Sequence, residues 1–259
     1  MMKPRSVLVV ILVLVGLVAS TASAEKITIA AAADLKFAMD EIVGGFNRNH
    51  SGDEVQVVYG SSGKFHTQIM QGAPYDLYFS ADSAYPRELV RQGQAASEVK
   101  PYAVGRIVLW SAEMDASKMS LASLADPRIT KIAIANPKHA PYGKRAEEAL
   151  RSAGLWEKLQ AKLVFGENIS QTAQFVRTGN AQVGIIALSL VLNPELAKKG
   201  GYYLIPEAMH TPLEQGYIIT KQGANKPLTK KFADFMVSKQ VRGIMTKYGF
   251  VPPDAKGGI

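Results

Sequence analysis

The sequence predicts an α/β protein with mostly parallel strand pairing. Strand-like apolar runs alternate with segments of helical periodicity along the whole of residues 25–259, the pattern left by repeated βα units. The runs are separated by turns rich in Gly, Ser, Asp and Asn, residues that break strands and open helices.

In chain order, Lys26 to Ala32 reads as a strand, and Phe37 to Phe46 as a helix with Phe37, Met39, Ile42 and Phe46 on its apolar face. Val55 to Tyr59 alternates as a second strand, closed by Gly60-Ser61-Ser62-Gly63, and a helix runs from Phe65 to Gln71. Asp76 to Ser80 follows the Ala73-Pro74-Tyr75 turn as a buried strand. Ile107–Ser111, Ile132–Ile134, Leu163–Phe165 and Val183–Ala187 are short strands, with helices from about Gly143, Gln171 and Leu188 between them. A last strand, Gly216–Thr220, precedes a helix from Leu228 to Ser238. The stretches Tyr102–Ile107 and Ile205–Leu213 permit crossovers between two lobes, the middle of the chain forming one and its two ends the other. Periodicity allows this division without establishing it.

Residues 1–24 read as a cleavable export signal. Lys3 and Arg5 precede an apolar run from Val7 to Val18, and Ala22-Ser23-Ala24 is a small-x-small cleavage pattern. That run is shorter than the roughly 20 apolar residues a spanning helix needs. The remainder is long enough for one large domain or two modest lobes. The formal net charge is +8, two of it from the leader. No Lys/Arg run with interleaved aromatics appears, so no nucleic-acid partner is expected. The chain has no cysteine, which excludes disulfides, a Cys–zinc site, a thiol nucleophile and a lipid-modified cysteine. A freely soluble protein outside the inner membrane is expected.

Three strand-to-helix turns carry the chemistry: Ala33-Asp34-Leu35, Ser61-Ser62-Gly63 and Pro141-Tyr142-Gly143, with Glu167-Asn168-Ile169-Ser170 a fourth. Each sets small or hydroxyl-bearing residues where a helix exposes its first unpaired N–H groups, which together with the helix dipole favour an anion. Taken singly, such residues are ordinary N-caps. Four in one exported α/β chain point to an anion receptor, because a buried dianion needs several preorganised donors. Enzyme readings are weaker. His50, His66, His139 and His210 show no metal-ligand spacing, and no G-x-S-x-G, G-x-G-x-x-G or phosphate-loop motif is present. His139 reads as a surface loop residue.

The run Ile29 to Leu35 followed by Gly60-Ser61-Ser62-Gly63 resembles the molybdate-binding proteins of bacterial ABC importers. Gln71 to Asp82, Asn136 to Gly143 and Lys247-Tyr248-Gly249-Phe250 fit the same family in the same order. The resemblance implies a two-lobed periplasmic binding protein of the type with two chain crossovers (type II), each lobe a mainly parallel sheet flanked by helices. It places one lobe in 25–104 plus 208–259, the other in 105–207, and the ligand cleft between them. It further implies a monomer, soluble in the periplasm after cleavage near Ala24, that binds molybdate, and tungstate too, and delivers it to an ABC permease in the inner membrane. The anion is the ligand; no cofactor and no bare-cation site are implied.

Carried over by position, the pocket comprises Ala33, Asp34, Ser62, Tyr142, Ile169 and Ala187. Ser62 gives hydroxyl and N–H; Tyr142 and Ile169 give main-chain N–H groups. Ala187 stands where some members present a tyrosine hydroxyl, so that donor is absent. The chain departs from the family at Asp34, where Ser, Thr or Asn is common. A carboxylate at contact with an anion is repelled by roughly 4 kcal/mol for unit charges at an effective dielectric of 20. The expected resolution is that Asp34 turns away and caps its helix; protonation to the acid form is the other. The remaining readings are a different oxyanion or a metal complex at the same site, and, remotely, an exported hydrolase using Ser62.

Overall fold

A computed structural model describes residues 24–50 and 52–255; the predicted leader, all but Ala24, lies outside them. The chain forms two five-stranded sheets. The first half of the first sheet is laid down by β1 (Lys26–Ala32), α1 (Lys36–Asn47), β2 (Glu54–Gly60), α2 (Ser62–Met70), β3 (Leu77–Ser80) and α3 (Ala84–Arg91). Its edge strand β4 (Lys100–Gly105) is followed by β5 (Ile107–Trp110) of the second sheet, with Arg106 alone between them. The second sheet continues through β6 (Ile132–Ala135), α4 (Pro141–Ser152), α5 (Trp156–Leu159), β7 (Leu163–Gly166), α6 (Ile169–Arg177), β8 (Val183–Ala187), α7 (Leu188–Val191) and β9 (Tyr202–Leu204). The chain then returns to the first sheet as β10 (Leu213–Ile219), followed by α8 (Pro227–Phe235) and α9 (Lys239–Lys247).

The strand orders are β2-β1-β3-β10-β4 and β7-β6-β8-β5-β9. In each, three parallel strands meet a fourth that runs antiparallel to both of its neighbours. The sheets are therefore mixed rather than mainly parallel. The reason is the crossovers. A parallel neighbour needs a long connection over the sheet face, whereas β5 arrives straight from β4 and β10 arrives from the second sheet.

β4 occupies most of the stretch expected to be a crossover, a strand that the sequence pattern does not predict. Pro101 hides it in the sequence, yet a proline is tolerated on an edge strand, and β4 pairs only with β10 among the named strands. The chain returns from β9 of the second sheet to β10 of the first over residues 205–212.

One apolar face of the first sheet packs under α1, α8 and α9 through Ile27, Ile29, Phe46, Phe79, Tyr217 and Phe232. Its other face packs under α2 and α3 through Ala30, Phe65, Tyr78 and Leu89. The core of the second sheet, built on Trp110, Ile134, Ile185 and Ile186, also takes in Ala32, Ala33 and Ala81 from the first. The two sheets thus touch where β1 and β3 end. No described helix is long and apolar enough to cross a membrane.

Candidate functional site

At that contact lies a small cavity, about 190 Å³ of free space including its mouth. The ends of β1, β2 and β3 contribute Ala32, Ala33, Asp34, Gly60, Ser61, Ser62 and Ala81; the second sheet contributes Ala140, Pro141, Tyr142 and Ile169. The structure therefore brings together five of the six residues singled out in the sequence. Ala187 does not line the cavity. It ends β8 opposite Ile107, fully buried, and offers no side-chain donor.

The helix starts around the cavity are left unsatisfied by their own side chains. The positions before the 3-10 turn Ala33–Leu35, before α2 and before α4 are Ala32, Ser61 and Ala140, and none makes a side-chain cap. Ser61 is the informative case. It sits in cap geometry, but its hydroxyl lies 2.9 Å from His139 Nδ1. Only Asn168 is an ordinary cap, accepting from Gln171 N–H at 3.0 Å, and this leaves the N–H of Ile169 outside the cap. Ser62, Tyr142 and Ile169 fall in the first turns of α2, α4 and α6, where no helical carbonyl reaches their N–H groups. Buried helix starts without caps need another acceptor. Ser62 Oγ accepts from Ala81 N–H at 3.0 Å, which leaves its hydrogen to donate.

Asp34 is 1% exposed. Its Oδ2 accepts from Tyr142 OH at 3.0 Å and from Gln215 Nε2 at 2.8 Å, while Oδ1 has no partner. The carboxylate therefore turns to a tyrosine and an amide across the crossover instead of making the expected side-chain cap. Burial pushes its pKa up to about 6, with Gln215, Tyr142 and the main-chain N–H groups of Asp34 and Leu35 pulling it back.

Further bonds cross the cleft. Ser170 Oγ donates to Ala33 O at 2.7 Å and Ser189 Oγ to Asp34 O at 2.8 Å. Gly63 N–H donates to His139 O at 2.9 Å. The nearly buried Arg145 reaches Asp82 at 3.1 Å while also holding Glu148 at 2.9 Å. Lys64 pairs with Glu167 at the rim. His139 is thus not a free surface residue but a half-buried contact at the cleft mouth. Gln215, Arg145 and Asp82 carry no local sequence signal for these roles, because each acts on a partner at least 63 residues away.

Ser61, His139 and Glu167 form a line that superficially suggests a nucleophile and base. His139 Nε2 lies 3.8 Å from Glu167, beyond hydrogen-bond length, and Glu167 is held by Lys64. Ser62 has no base at all among its bonds. The arrangement binds; it does not activate a hydroxyl. Among the described residues no group of three or more His, Asp or Glu side chains is placed to hold a metal ion.

Two sheets joined by two crossovers, with uncapped helix starts converging between them, define an extracellular solute-binding protein. The chain belongs to the family described as bacterial extracellular solute-binding protein, whose profile matches residues 27–251. It is similar to the molybdate-binding protein ModA of Rhodobacter capsulatus, at 37% identity over 93% of this chain and 94% of that one. It is also similar to ModA of Azotobacter vinelandii, at 34% identity over 91% and 93%. Among solved structures, the periplasmic molybdate-binding protein of Azotobacter vinelandii superposes with a TM-score of 0.82 and 31% identity, covering 88% of this chain and 99% of that one. The sulfate-binding protein SubI of Mycobacterium tuberculosis shares the fold, with a TM-score of 0.74 at 16% identity over 90% and 88%. The protein is a solute-binding component of a transport system, not an enzyme.

Proposed function

We propose that the protein binds molybdate, and tungstate as its close analogue, in the cavity between the sheets and delivers it to an ABC permease in the inner membrane. The observation that carries this is the convergence of uncapped, buried helix starts on a small cavity that no Lys or Arg lines among the described residues. Neutral N–H and hydroxyl donors suit a tetrahedral oxyanion. The proposed contacts are the main-chain N–H groups beside Ala33 and Asp34, the hydroxyl and N–H of Ser62, and the N–H groups of Tyr142 and Ile169. The similarity to proteins named for molybdate supports that anion over sulfate.

In this reading residues 25–104 with 208–259 and residues 105–207 are two lobes that close on the anion, hinged at Arg106 and the 205–212 return. Bonds such as Ser170 to Ala33 O and Arg145 to Asp82 form on closure, and the permease recognises the closed shape. The working form is a soluble periplasmic monomer without its leader, cut near Ala24, and it engages no nucleic acid. Titration calorimetry of the mature chain with molybdate, tungstate, sulfate and phosphate tests the reading. Binding of the first two with one site per chain is expected. A folded protein that gives no heat with molybdate overturns it.

A further inference from the structure

We propose that Asp34 holds the oxyanion as the neutral acid, so that each dianion taken up brings one proton with it. This rests on the oxyanion reading above and names how the same site is regulated.

The geometry places a carboxyl group on the cavity wall with one oxygen committed and one free. Oδ2 takes both Tyr142 OH, at 3.0 Å, and Gln215 Nε2, at 2.8 Å. Gln215 Nε2 also lies 3.1 Å from Tyr142 OH, which ties the three groups into one unit. Oδ1 is buried and has no hydrogen-bond partner, although Asp34 lines the cavity. An ionised carboxylate accepts only, so Oδ1 as an anion would face the ligand with nothing to offer. Protonated, it becomes an O–H donor to an oxyanion oxygen, one more neutral donor in a site built from them. The proton comes from solvent and no covalent bond to the anion changes.

No positive charge supplies an alternative. Tyr142 from α4, Tyr102 from β4, Gln215 from β10 and the main-chain N–H groups of Asp34 and Leu35 bear on the carboxyl, and both tyrosines are held neutral by burial. Ser170 and Ser189, from α6 and α7, bond to main-chain oxygens of this turn. Lys36 on the following helix pairs with Asp40, and Arg106 at the crossover pairs with Glu207. Burial lifts the Asp34 carboxyl to about 6, and a dianion beside it raises it further. Gln215 is then a positioning residue, holding Oδ2 so that Oδ1 faces the anion.

The sign follows from linkage. Where the ligand-free protein is ionised at Asp34 and the complex is protonated, affinity falls as pH rises, by up to about tenfold per pH unit. Titration calorimetry with molybdate at about pH 7.5, in buffers of different ionisation enthalpy, reads the proton count directly. Close to one proton taken up per molybdate is expected, and Asp34→Asn should bring it near zero with a flat affinity across the same pH range. His139→Gln, which removes the titratable group at the cleft mouth, should keep the full uptake. Tight molybdate binding without proton uptake, or uptake lost in His139→Gln, overturns the inference while leaving the molybdate reading intact. A folded protein with no molybdate binding at any pH overturns both.

Discussion

Tyr142 donates its hydroxyl hydrogen to Oδ2 of Asp34 at 3.0 Å, joining two residues 108 positions apart and one sheet to the other. Both groups are buried. The bond commits one carboxylate oxygen, Oδ2, which Gln215 Nε2 also reaches, and leaves Oδ1 without a hydrogen-bond partner.

Stability should carry the imprint of this carboxyl. Its pKa is raised by burial from an ordinary 3.8 to about 6, so the folded state binds the proton more tightly than the unfolded state does. Stability is therefore greatest below the unfolded pKa and declines as pH rises toward the folded one. From about 1.36 kcal/mol per pKa unit, the loss is on the order of 3 kcal/mol. Urea unfolding from about pH 4 to 7 should show this decline in the ligand-free wild type and its absence in Asp34→Asn. Parallel profiles for the two proteins would refute it.

Ser62 supplies a hydroxyl whose acceptor side is occupied by Ala81 N–H. Ser62→Ala removes one hydrogen bond to a charged ligand, worth roughly 1.5–3 kcal/mol. Molybdate affinity should fall by about 10- to 100-fold, measured by calorimetry, with fold retained in circular dichroism. An unchanged affinity would remove Ser62 from the site.

Arg145 and Lys64 both bridge the cleft, and burial separates their weights. Arg145 is 6% exposed and its partner Asp82 21%, whereas Lys64 and Glu167 are 52% and 41% exposed. Arg145→Met leaves Asp82 without its guanidinium in a low-dielectric cleft. It should weaken molybdate binding by about tenfold or more, and small-angle scattering of the molybdate-loaded protein should show a larger radius of gyration than loaded wild type. Lys64→Ala should cost less than about 1 kcal/mol and vanish in high salt. Equal effects would contradict this ranking.

Gly143 is fixed by a close approach. A Cβ there would sit 2.0 Å from Ala135 O, backbone that cannot move without shifting β6. Gly143→Ala should destabilise by about 3 kcal/mol or more, lowering Tm by roughly 6–12 °C in a thermal melt. A melt within about 2 °C of wild type would show that α4 can slide.

Much of this was legible in the sequence. The apolar runs at Lys26–Ala32 and Val183–Ala187 announce buried strands, and small residues at helix starts announce the cavity. β4 escaped because Pro101 breaks its pattern, and Pro86 similarly disguises α3, where proline is tolerated in the first turn. The bonding partners of Asp34 were not legible either. Its direction depends on Tyr142 and Gln215, which reach it only through tertiary packing, and no local rule links positions so far apart. For the same reason the hydroxyl of Ser61 reads as a cap in the sequence and is spent on His139 in the fold.

The central claim is that a single oxyanion sits among uncapped helix starts between the two sheets. The most direct measurement is the anomalous difference density of a molybdate-soaked or co-crystallised protein. One molybdenum peak per chain is expected, within hydrogen-bond reach of Ser62 Oγ and of the N–H groups of Asp34, Tyr142 and Ile169, with Asp34 Oδ2 still on Tyr142. A peak elsewhere on the chain, or a bound anion paired instead with Lys or Arg side chains, would contradict the account.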